Sequence, residues 1–345
     1  MKGVVPVGDR RVEVRDFPIP EPGEGEVVIE VRCAGICGSD LNTFRMTWAQ
    51  IGERQNKIIG HEAGGIVHSV GAGVRNVRVG QRVCVYHYMG CGWCKDCLEG
   101  TIGWCEQKRA YGWHIDGEMS EYVTTEEKSC CPLPDQLTFE DAAFLACSAG
   151  TAYASLKKLA RSSADGYLAV VGLGPIGTVA SLLAKAIGWK TIGIDLSGPR
   201  VEFSRTHGIQ AFCPETGGRL DEQLRSRMNG KLPARVFDTT GNSEGLADAF
   251  LIAGKGAHIV TIGKGPRPYT MSDRINMGDL ILKQITFMTS WVFSLPDYYQ
   301  LVEFILDNDV SFSRLVTGRF RFSDAQQAFE RAANPETVGK TVFVQ

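Results

Sequence analysis

Four cysteines lie close together in one Gly-rich, polar segment, in the pattern Cys91-x2-Cys94-x2-Cys97-x7-Cys105. Thiolates at two-residue gaps suit a soft metal ion, because one tight turn can bring a pair of sulfurs to the same ion. A closed four-sulfur site would stabilise a small lobe at residues 90–106, which has no long apolar pattern of its own. The spacing therefore predicts a structural metal site.

Two other interpretations of these cysteines compete with zinc. A disulfide framework is disfavoured, because the N-terminus does not resemble a secretory signal. An iron–sulfur cluster is the stronger rival, since the bacterial ferredoxin pattern also begins C-x2-C-x2-C, but it closes after three residues and Pro follows. Here the last gap has seven residues and Glu106 follows. These residues favour zinc and leave the cluster open.

A second set of possible metal ligands is scattered along the chain. Cys37 begins the run Cys-Gly-Ser-Asp, His61 follows 24 residues later, and Cys147 stands close to a change in sequence pattern. Each alone is unremarkable, since a single Cys is usually a small buried hydrophobe. Together they form the ligand set of a catalytic zinc with one open position. Such a zinc polarises a bound alcohol, whose carbon can then release a hydride to nicotinamide.

A glycine motif predicts a dinucleotide site. It follows a predicted strand at residues 167–171 and opens a predicted helix at residues 176–187. Glycines there permit a tight turn and a close approach of the backbone to a pyrophosphate, which the helix N-terminus attracts. The motif consists of Gly172, Gly174, Pro175, Ile176 and Gly177.

An acidic residue after the next predicted strand favours NAD over NADP. Asp195 lies 18 residues after the last glycine of the motif. A carboxylate there accepts hydrogen bonds from the adenosine ribose and repels a 2′-phosphate. Arg200 could contact the same ribose or soften that repulsion.

Length and composition limit what these sites can belong to. The chain has 345 residues, which suggests two domains. Its net charge of −2 gives no reason to expect nucleic acid or an anionic membrane as a partner, and no apolar run could span a bilayer. Eleven cysteines without a secretory signal indicate thiols and metal ligands in the reducing cytoplasm.

The elements that must position these residues change character near residue 150. Residues 1–150 contain short strands broken by Gly and Pro, such as those at 27–32 and 81–86. Residues 151–290 alternate apolar strands with helices, which predicts a parallel sheet covered on both faces. Residues 291–345 are mixed and end in a predicted strand. An α/β domain inserted into a β-rich one is therefore expected.

The ordered set of motifs resembles the zinc-dependent medium-chain alcohol dehydrogenases over nearly the whole chain. The two-two-seven cysteine spacing is that family's structural-zinc pattern, so the resemblance favours zinc over an iron–sulfur cluster. It implies a GroES-like catalytic domain, a Rossmann domain and two zinc ions per chain. The matching features, in order, are Cys-Gly-Ser-Asp at 37–40, Gly-His-Glu at 60–62, the four-cysteine lobe, Cys147, the glycine motif and Asp195.

The resemblance assigns roles around the catalytic zinc. Cys37, His61 and Cys147 would be its ligands, and Glu62 is similar to a carboxylate that can enter the coordination sphere. Asp40 would hydrogen-bond His61 and fix its tautomer.

Proton transfer is where the chain departs from the family. Ser39 would take the alcohol proton through its hydroxyl. Many relatives have a His three residues later, but here that position is Asn42, which cannot act as a base. His87 falls where the family commonly has an apolar pocket wall, so it is either a solvated loop residue, or a polar pocket wall or substitute proton acceptor. Trp113 has no assigned role.

The family also implies further contacts with the cofactor. Thr151 would lie near the nicotinamide, and the backbone at Ile262, Gly263 and Lys264 would pass beside it. Lys340 resembles a basic residue that pairs with the pyrophosphate.

The resulting prediction is an NAD-linked, zinc-dependent oxidoreductase that interconverts a small alcohol and its aldehyde or ketone, expected as a homodimer or homotetramer. A polyol or amino-alcohol dehydrogenase is the alternative, although such enzymes often carry Glu where Cys147 stands. A non-catalytic NAD-binding redox sensor with structural zinc only is the rival from another class.

Overall fold

The computed structural model describes residues 1–160, 167–263, 265 and 269–345. They divide into two compact units. The first comprises Met1–Gly150, Val292–Pro335 and Lys340–Gln345, and the second comprises Thr151–Trp291 and Glu336–Gly339. The chain thus leaves the first unit after Gly150 and returns to it at Val292.

The described residues form seventeen strands and twelve α-helices. The strands are β1 (Lys2–Gly8), β2 (Arg11–Asp16), β3 (Glu26–Gly35), β4 (Ala63–Val70), β5 (Arg82–Val85), β6 (Tyr88–Met89), β7 (Arg109–Ala110), β8 (Tyr122–Glu126), β9 (Cys130–Pro132), β10 (Tyr167–Val171), β11 (Lys190–Ile194), β12 (Gln210–Phe212), β13 (Arg235–Asp238), β14 (His258–Thr261), β15 (Thr286–Thr289), β16 (Val316–Phe320) and β17 (Lys340–Val344). The helices are α1 (Gly38–Phe44), α2 (Trp48–Ile51), α3 (Lys95–Leu98), α4 (Phe139–Leu145), α5 (Ser148–Leu159), α6 (Pro175–Ala186), α7 (Gly198–Thr206), α8 (Leu220–Arg227), α9 (Ser243–Ile252), α10 (Met277–Lys283), α11 (Leu295–Asp307) and α12 (Ala325–Ala333).

The first unit is built on a mostly antiparallel sheet. Its strand order is β16-β17-β3-β4-β5-β9, with β8 also paired to β3, in the described part of the chain. The central strand β3 pairs antiparallel with β4, so that Ala34 faces Ala63 across the ladder. This pairing brings the residues that follow β3 next to those that precede β4.

The second unit contains a parallel sheet in the order β12-β11-β10-β13-β14-β15, counted over the described residues. All of its strand pairs are parallel. The central strand β10 buries Leu168, Ala169 and Val170 completely, and burying each large aliphatic side chain contributes about 1.5–3 kcal/mol. The prediction of a β-rich part combined with a doubly wound parallel sheet is confirmed.

The strand and helix bounds differ from the sequence-based expectation mainly at the ends. Strand β10 has the predicted limits, whereas β3 runs three residues further, to Gly35. Helix α6 begins at Pro175, because proline is favoured in the first turn of a helix, where its missing N–H is not needed. Among the described residues, no helix is long and apolar enough to cross a membrane.

Candidate active site and metal centres

The four lobe cysteines converge on one point. The sulfur atoms of Cys91, Cys94, Cys97 and Cys105 all lie within 4.8 Å of one another. Such convergence suits a tetrahedral ion at metal–sulfur distances of about 2.3 Å. The backbone N–H of Cys94 donates to the Cys91 sulfur at 3.4 Å. Backbone donors of this kind stabilise thiolate charge, so the lobe fits a closed four-sulfur zinc site.

The lobe thiols differ in their affinity for protons. Hydrogen bonds, the largest from the Trp93 backbone, lower the pKa of Cys91 to about 6. Burial, with neighbouring thiols, raises the pKa of Cys97 to about 12. The thiolate form is therefore favoured at Cys91 and disfavoured at Cys97. A bound dication would stabilise the thiolate form of both.

A second group of ligand atoms converges within the first unit. One atom each from Cys37, His61, Glu62 and Cys147 lies within 4.8 Å of the others. His61 and Glu62 are buried, and the two cysteines are half-buried. These four residues, which we call the Cys-His-Cys cluster, are the ones predicted as ligands of a catalytic metal.

Strand pairing explains why ligands far apart in sequence meet. Cys37 follows β3, and His61 and Glu62 precede β4, which is paired with β3. Cys147 follows helix α4, which packs against β3 and β4. This packing requires a glycine at position 64, because a Cβ there would overlap Ala142 of α4.

Asp40 lies close to two of the ligands. Its Oδ2 accepts a hydrogen bond from the Cys37 backbone N–H at 2.8 Å, and its Oδ1 lies 3.4 Å from Nδ1 of His61. The contact with His61 does not have the geometry of a hydrogen bond, so Nδ1 is without a hydrogen-bond partner within the described part of the chain. Asp40 therefore lies where a carboxylate would fix the tautomer of a metal-bound His, leaving Nε2 for the ion.

The electrostatics of the cluster favour the binding of a cation. A hydrogen bond from Cys147 lowers the pKa of Cys37 well below its usual value, whereas the same bond and burial raise the pKa of Cys147. Burial would lower the pKa of His61, but Asp40 and Cys37 raise it well above its usual value. The Oε1 of Glu62 is buried without a hydrogen-bond partner among the described residues. These donors fit a zinc ion, which would satisfy them together.

A buried ion pair lies against this cluster. The ammonium of Lys340 is 2.5 Å from Oε2 of Glu62, and both side chains are almost completely buried. Burial alone would lower the pKa of Lys340, but the charge of Glu62 raises that pKa above its usual value. Burial raises the pKa of Glu62 to about 7, although the charge of Lys340 acts to lower it. Gly35 makes room for the pair, because a Cβ there would come within 2.5 Å of both side chains. The contact that the structure gives Lys340 is with Glu62, and its role at the cofactor pyrophosphate stays a prediction.

We expect Lys340→Met to destabilise the first unit by about 3–5 kcal/mol, because the change leaves Glu62 buried without its countercharge. Urea unfolding followed by tryptophan fluorescence measures the effect. The double variant Glu62→Gln/Lys340→Met, which removes both charges, should recover most of the loss. Equal stabilities of the wild type and the single variant would show that the pair is not needed in the fold.

His87 is enclosed and does not lie in a solvated loop. Its side chain is 3 % exposed, and its Nδ1 lies 2.7 Å from the carbonyl oxygen of Ala146. Burial, with nearby His61, lowers the pKa of His87 to about 3. The solvated-loop interpretation is therefore wrong. A base this weak is also a poor proton acceptor at neutral pH, which leaves the polar wall.

Two residues near the cluster escaped the sequence analysis. Trp113 lies against His61, with ring centroids 4.9 Å apart and planes inclined at 60°. Glu118 is completely buried, and its Oε2 accepts from the backbone N–H of Ala63 at 2.6 Å, at the start of β4. Burial raises the pKa of Glu118 well above its usual value. The sequence gives no signal for it, since Asp116 and Glu121 are carboxylates close by.

Ser39 lies in the first turn of α1, which begins directly after Cys37, and is half-buried. Its position two residues from a ligand is compatible with its predicted role in proton transfer.

The glycine motif has the conformation that its predicted role requires. Gly172 has φ of +92°, a Cβ on Gly177 would overlap the carbonyl oxygen of Gly172, and a Cβ on Gly174 would meet open space. Pro175 and Ile176 form the first turn of α6. An open position at a helix N-terminus fits a pyrophosphate.

Asp195 links the glycine turn to the next helix. Its Oδ2 accepts from the Leu173 backbone N–H at 2.7 Å and its Oδ1 from the Ser197 backbone N–H at 2.8 Å. Arg200 lies 3.9 Å from the same carboxylate. Each carboxylate oxygen can accept a second bond, so Asp195 retains capacity for two ribose hydroxyls.

Of the remaining predicted cofactor residues, the structure describes Thr151, Ile262 and Gly263. Thr151 is buried in α5, and Ile262 and Gly263 follow β14. The N–H of Ile262 donates to the carbonyl of Asp238 at 3.1 Å. Lys264 lies outside the described residues.

Two family profiles match most of the chain. Residues 23–135 match the alcohol dehydrogenase GroES-like domain, and residues 175–307 match the zinc-binding dehydrogenase domain. The first match contains the lobe and much of the Cys-His-Cys cluster.

Individual relatives cover almost the full length. An Escherichia coli protein named as an uncharacterized zinc-type alcohol dehydrogenase-like protein, YphC, is 34% identical over 97% of this chain and 96% of its own. The sorbitol dehydrogenase of Bacillus subtilis is 28% identical over 96% and 93%. The structure of galactitol-1-phosphate dehydrogenase from Escherichia coli superposes with a TM-score of 0.88 at 25% identity, covering all of both chains.

Proposed function

We propose the reaction of this chain from its family membership. The chain belongs to the zinc-type alcohol dehydrogenases. It is an oxidoreductase that acts on alcohols or the corresponding carbonyl compounds. The finer proposal is that it is NAD-linked and holds two zinc ions, one in the lobe and one in the Cys-His-Cys cluster. The observation that carries the proposal is the convergence of four ligand atoms within 4.8 Å in the cluster.

Each residue of the site has a distinct part in the proposed reaction. When bound, zinc would supply a Lewis acid for the substrate oxygen. Cys37, His61 and Cys147 would hold it and leave one position open. Ser39 would accept the alcohol proton at its hydroxyl oxygen and pass its own proton outward. Asn42 cannot continue this transfer as a base, so water would complete it.

NAD is the proposed cofactor because Asp195 would place a carboxylate at the adenosine ribose. We expect Asp195→Gly to raise the ratio of kcat/KM for NADP over NAD about tenfold or more, because the change removes the charge that repels a 2′-phosphate and frees Arg200 to attract it. Initial rates with both cofactors measure the ratio. The matched variant Asp195→Asn keeps an acceptor oxygen but loses the charge, and it separates repulsion from hydrogen bonding. An unchanged ratio in both variants would remove Asp195 from cofactor selection.

A polyol is the second candidate substrate, because relatives named sorbitol dehydrogenase and L-galactonate-5-dehydrogenase are 28% identical over most of the chain. The test is a panel of primary, secondary, cyclic, aromatic and polyhydroxylated alcohols with NAD, followed by the absorbance of NADH. Oxidation of at least one class supports the proposal, whereas inactivity of the zinc-loaded protein toward all classes in both directions contradicts it.

The cellular setting and assembly follow as expectations. None of the eleven cysteines, all of which lie within the described residues, forms a disulfide, as expected in a reducing cytoplasm. A homodimer or homotetramer is the expected assembly.

A further inference from the structure

The imidazole of His87 carries a nitrogen that nothing in the described part of the chain satisfies. The side chain is 3 % exposed, and its Nε2 is buried without a hydrogen-bond partner there. A buried polar atom left unpaired lowers stability unless a ligand or water meets it. Its partner is therefore expected to come from outside the chain.

The tautomer of His87 follows from its other nitrogen. Nδ1 lies 2.7 Å from the carbonyl oxygen of Ala146, which can only accept a hydrogen bond. Nδ1 must therefore carry the proton and donate it. In the neutral ring Nε2 then presents a lone pair, so it is an acceptor that requires a donor.

The location of this acceptor ties it to the Cys-His-Cys cluster. The rings of His87 and His61 contact each other with centroids 6.1 Å apart. The carbonyl that fixes His87 belongs to Ala146, the residue before Cys147. Tyr88 and Phe293 enclose the ring at centroid distances of 4.5 and 5.3 Å. The ring is thus oriented by a backbone contact, enclosed by aromatic rings, and next to two ligands of the proposed catalytic metal.

We propose that His87 selects alcohols bearing a second hydroxyl on the carbon next to the reacting one, by accepting a hydrogen bond from that hydroxyl at Nε2. The inference rests on the proposed function, since the first hydroxyl must lie at the cluster. A vicinal hydroxyl supplies the donor that Nε2 lacks. An alkyl group in its place would leave the lone pair buried and unpaired, and a site built for a hydroxyl discriminates strongly against the analogue without it.

The test compares two substrates that differ by one hydroxyl, 2,3-butanediol and 2-butanol. The wild type is expected to favour the diol about 10- to 100-fold in kcat/KM. His87→Phe keeps an aromatic ring but removes both nitrogens. His87→Asn keeps an N–H donor for the carbonyl of Ala146 but has no acceptor at the Nε2 position. Both should lose the preference. His87→Gln, whose amide oxygen can reach the Nε2 position, should retain part of it. A full preference in His87→Phe and His87→Asn would overturn the proposal.

A second measurement separates this inference from the proposed function. The Kd of each alcohol for the zinc-loaded protein without cofactor involves no turnover, and the same preference for the diol and the same order of variants are expected. If the wild type oxidises neither alcohol, nor any other, the proposed function fails while the Kd values still decide the role of His87. Equal Kd values for diol and monoalcohol in the wild type would overturn the role of His87 while leaving the oxidoreductase proposal intact.

Discussion

Replacing Cys37 by Ser is expected to lower kcat by about 10³-fold or more while the fold remains intact. Cys37 supplies one of the thiolates of the Cys-His-Cys cluster, and a hydroxyl is a far weaker zinc ligand than a thiolate. Loss of the proposed zinc would remove a Lewis acid worth several kcal/mol of transition-state stabilisation, and each 1.36 kcal/mol corresponds to a factor of ten. Steady-state rates with the best alcohol of the panel measure the loss.

The same substitution should be tolerated structurally. Cys37 is the N-cap residue of α1, a position where serine is among the preferred residues. Because this variant keeps the lobe ion, its circular dichroism spectrum is therefore expected to match that of the wild type. Cys213→Ser is the matched control, because Cys213 is exposed and lies in the second unit. Turnover within tenfold of the wild type in Cys37→Ser would contradict the catalytic role of the cluster.

The second large effect is expected in the lobe. Cys94→Ser should release its ion and unfold residues 90–106, because metal binding supplies the folding free energy of a segment without its own core; in zinc-finger peptides this amounts to about 10–16 kcal/mol. Limited proteolysis should then cut within the lobe of the variant but not of the wild type. The cut should leave a fragment containing the second unit.

Unfolding of the lobe would also break its contacts with residues outside it. Gly100 of the lobe packs on Pro296 and Gly103 on Val292, so these packed surfaces become exposed when the lobe opens. Lys95→Ser is the control, since Lys95 is exposed, adjacent to Cys94 and not a ligand. Equal protease resistance in Cys94→Ser and Lys95→Ser would show that the lobe folds without its metal.

Spacing along the chain was sufficient to predict the features that depend on local order. The lobe cysteines are close in sequence, so their convergence follows from tight turns. Strand β10 has the predicted limits because a continuous apolar run between two glycines marks a buried parallel strand. The glycine motif was predicted for the same reason, since its strand, turn and helix are contiguous.

Contacts between distant residues could not be predicted in this way. Trp113 meets His61 because the chain around Gly112 and Gly117 packs beside Ile59 and Gly60. The ion pair of Glu62 and Lys340 joins residues almost 280 positions apart. Helices α1–α5, α8 and α10–α12 were not predicted, and their ends depend on caps and packing that apolar periodicity alone does not reveal.

The most direct test of a catalytic metal in the Cys-His-Cys cluster is the zinc content per chain of the wild type, Cys37→Ser and Cys94→Ser, measured by elemental mass spectrometry on protein purified without chelators. The account predicts two ions in the wild type and one in each variant, with a colourless protein throughout. A single ion in the wild type, lost in Cys94→Ser but retained in Cys37→Ser, would mean that only the lobe binds metal and would contradict the account.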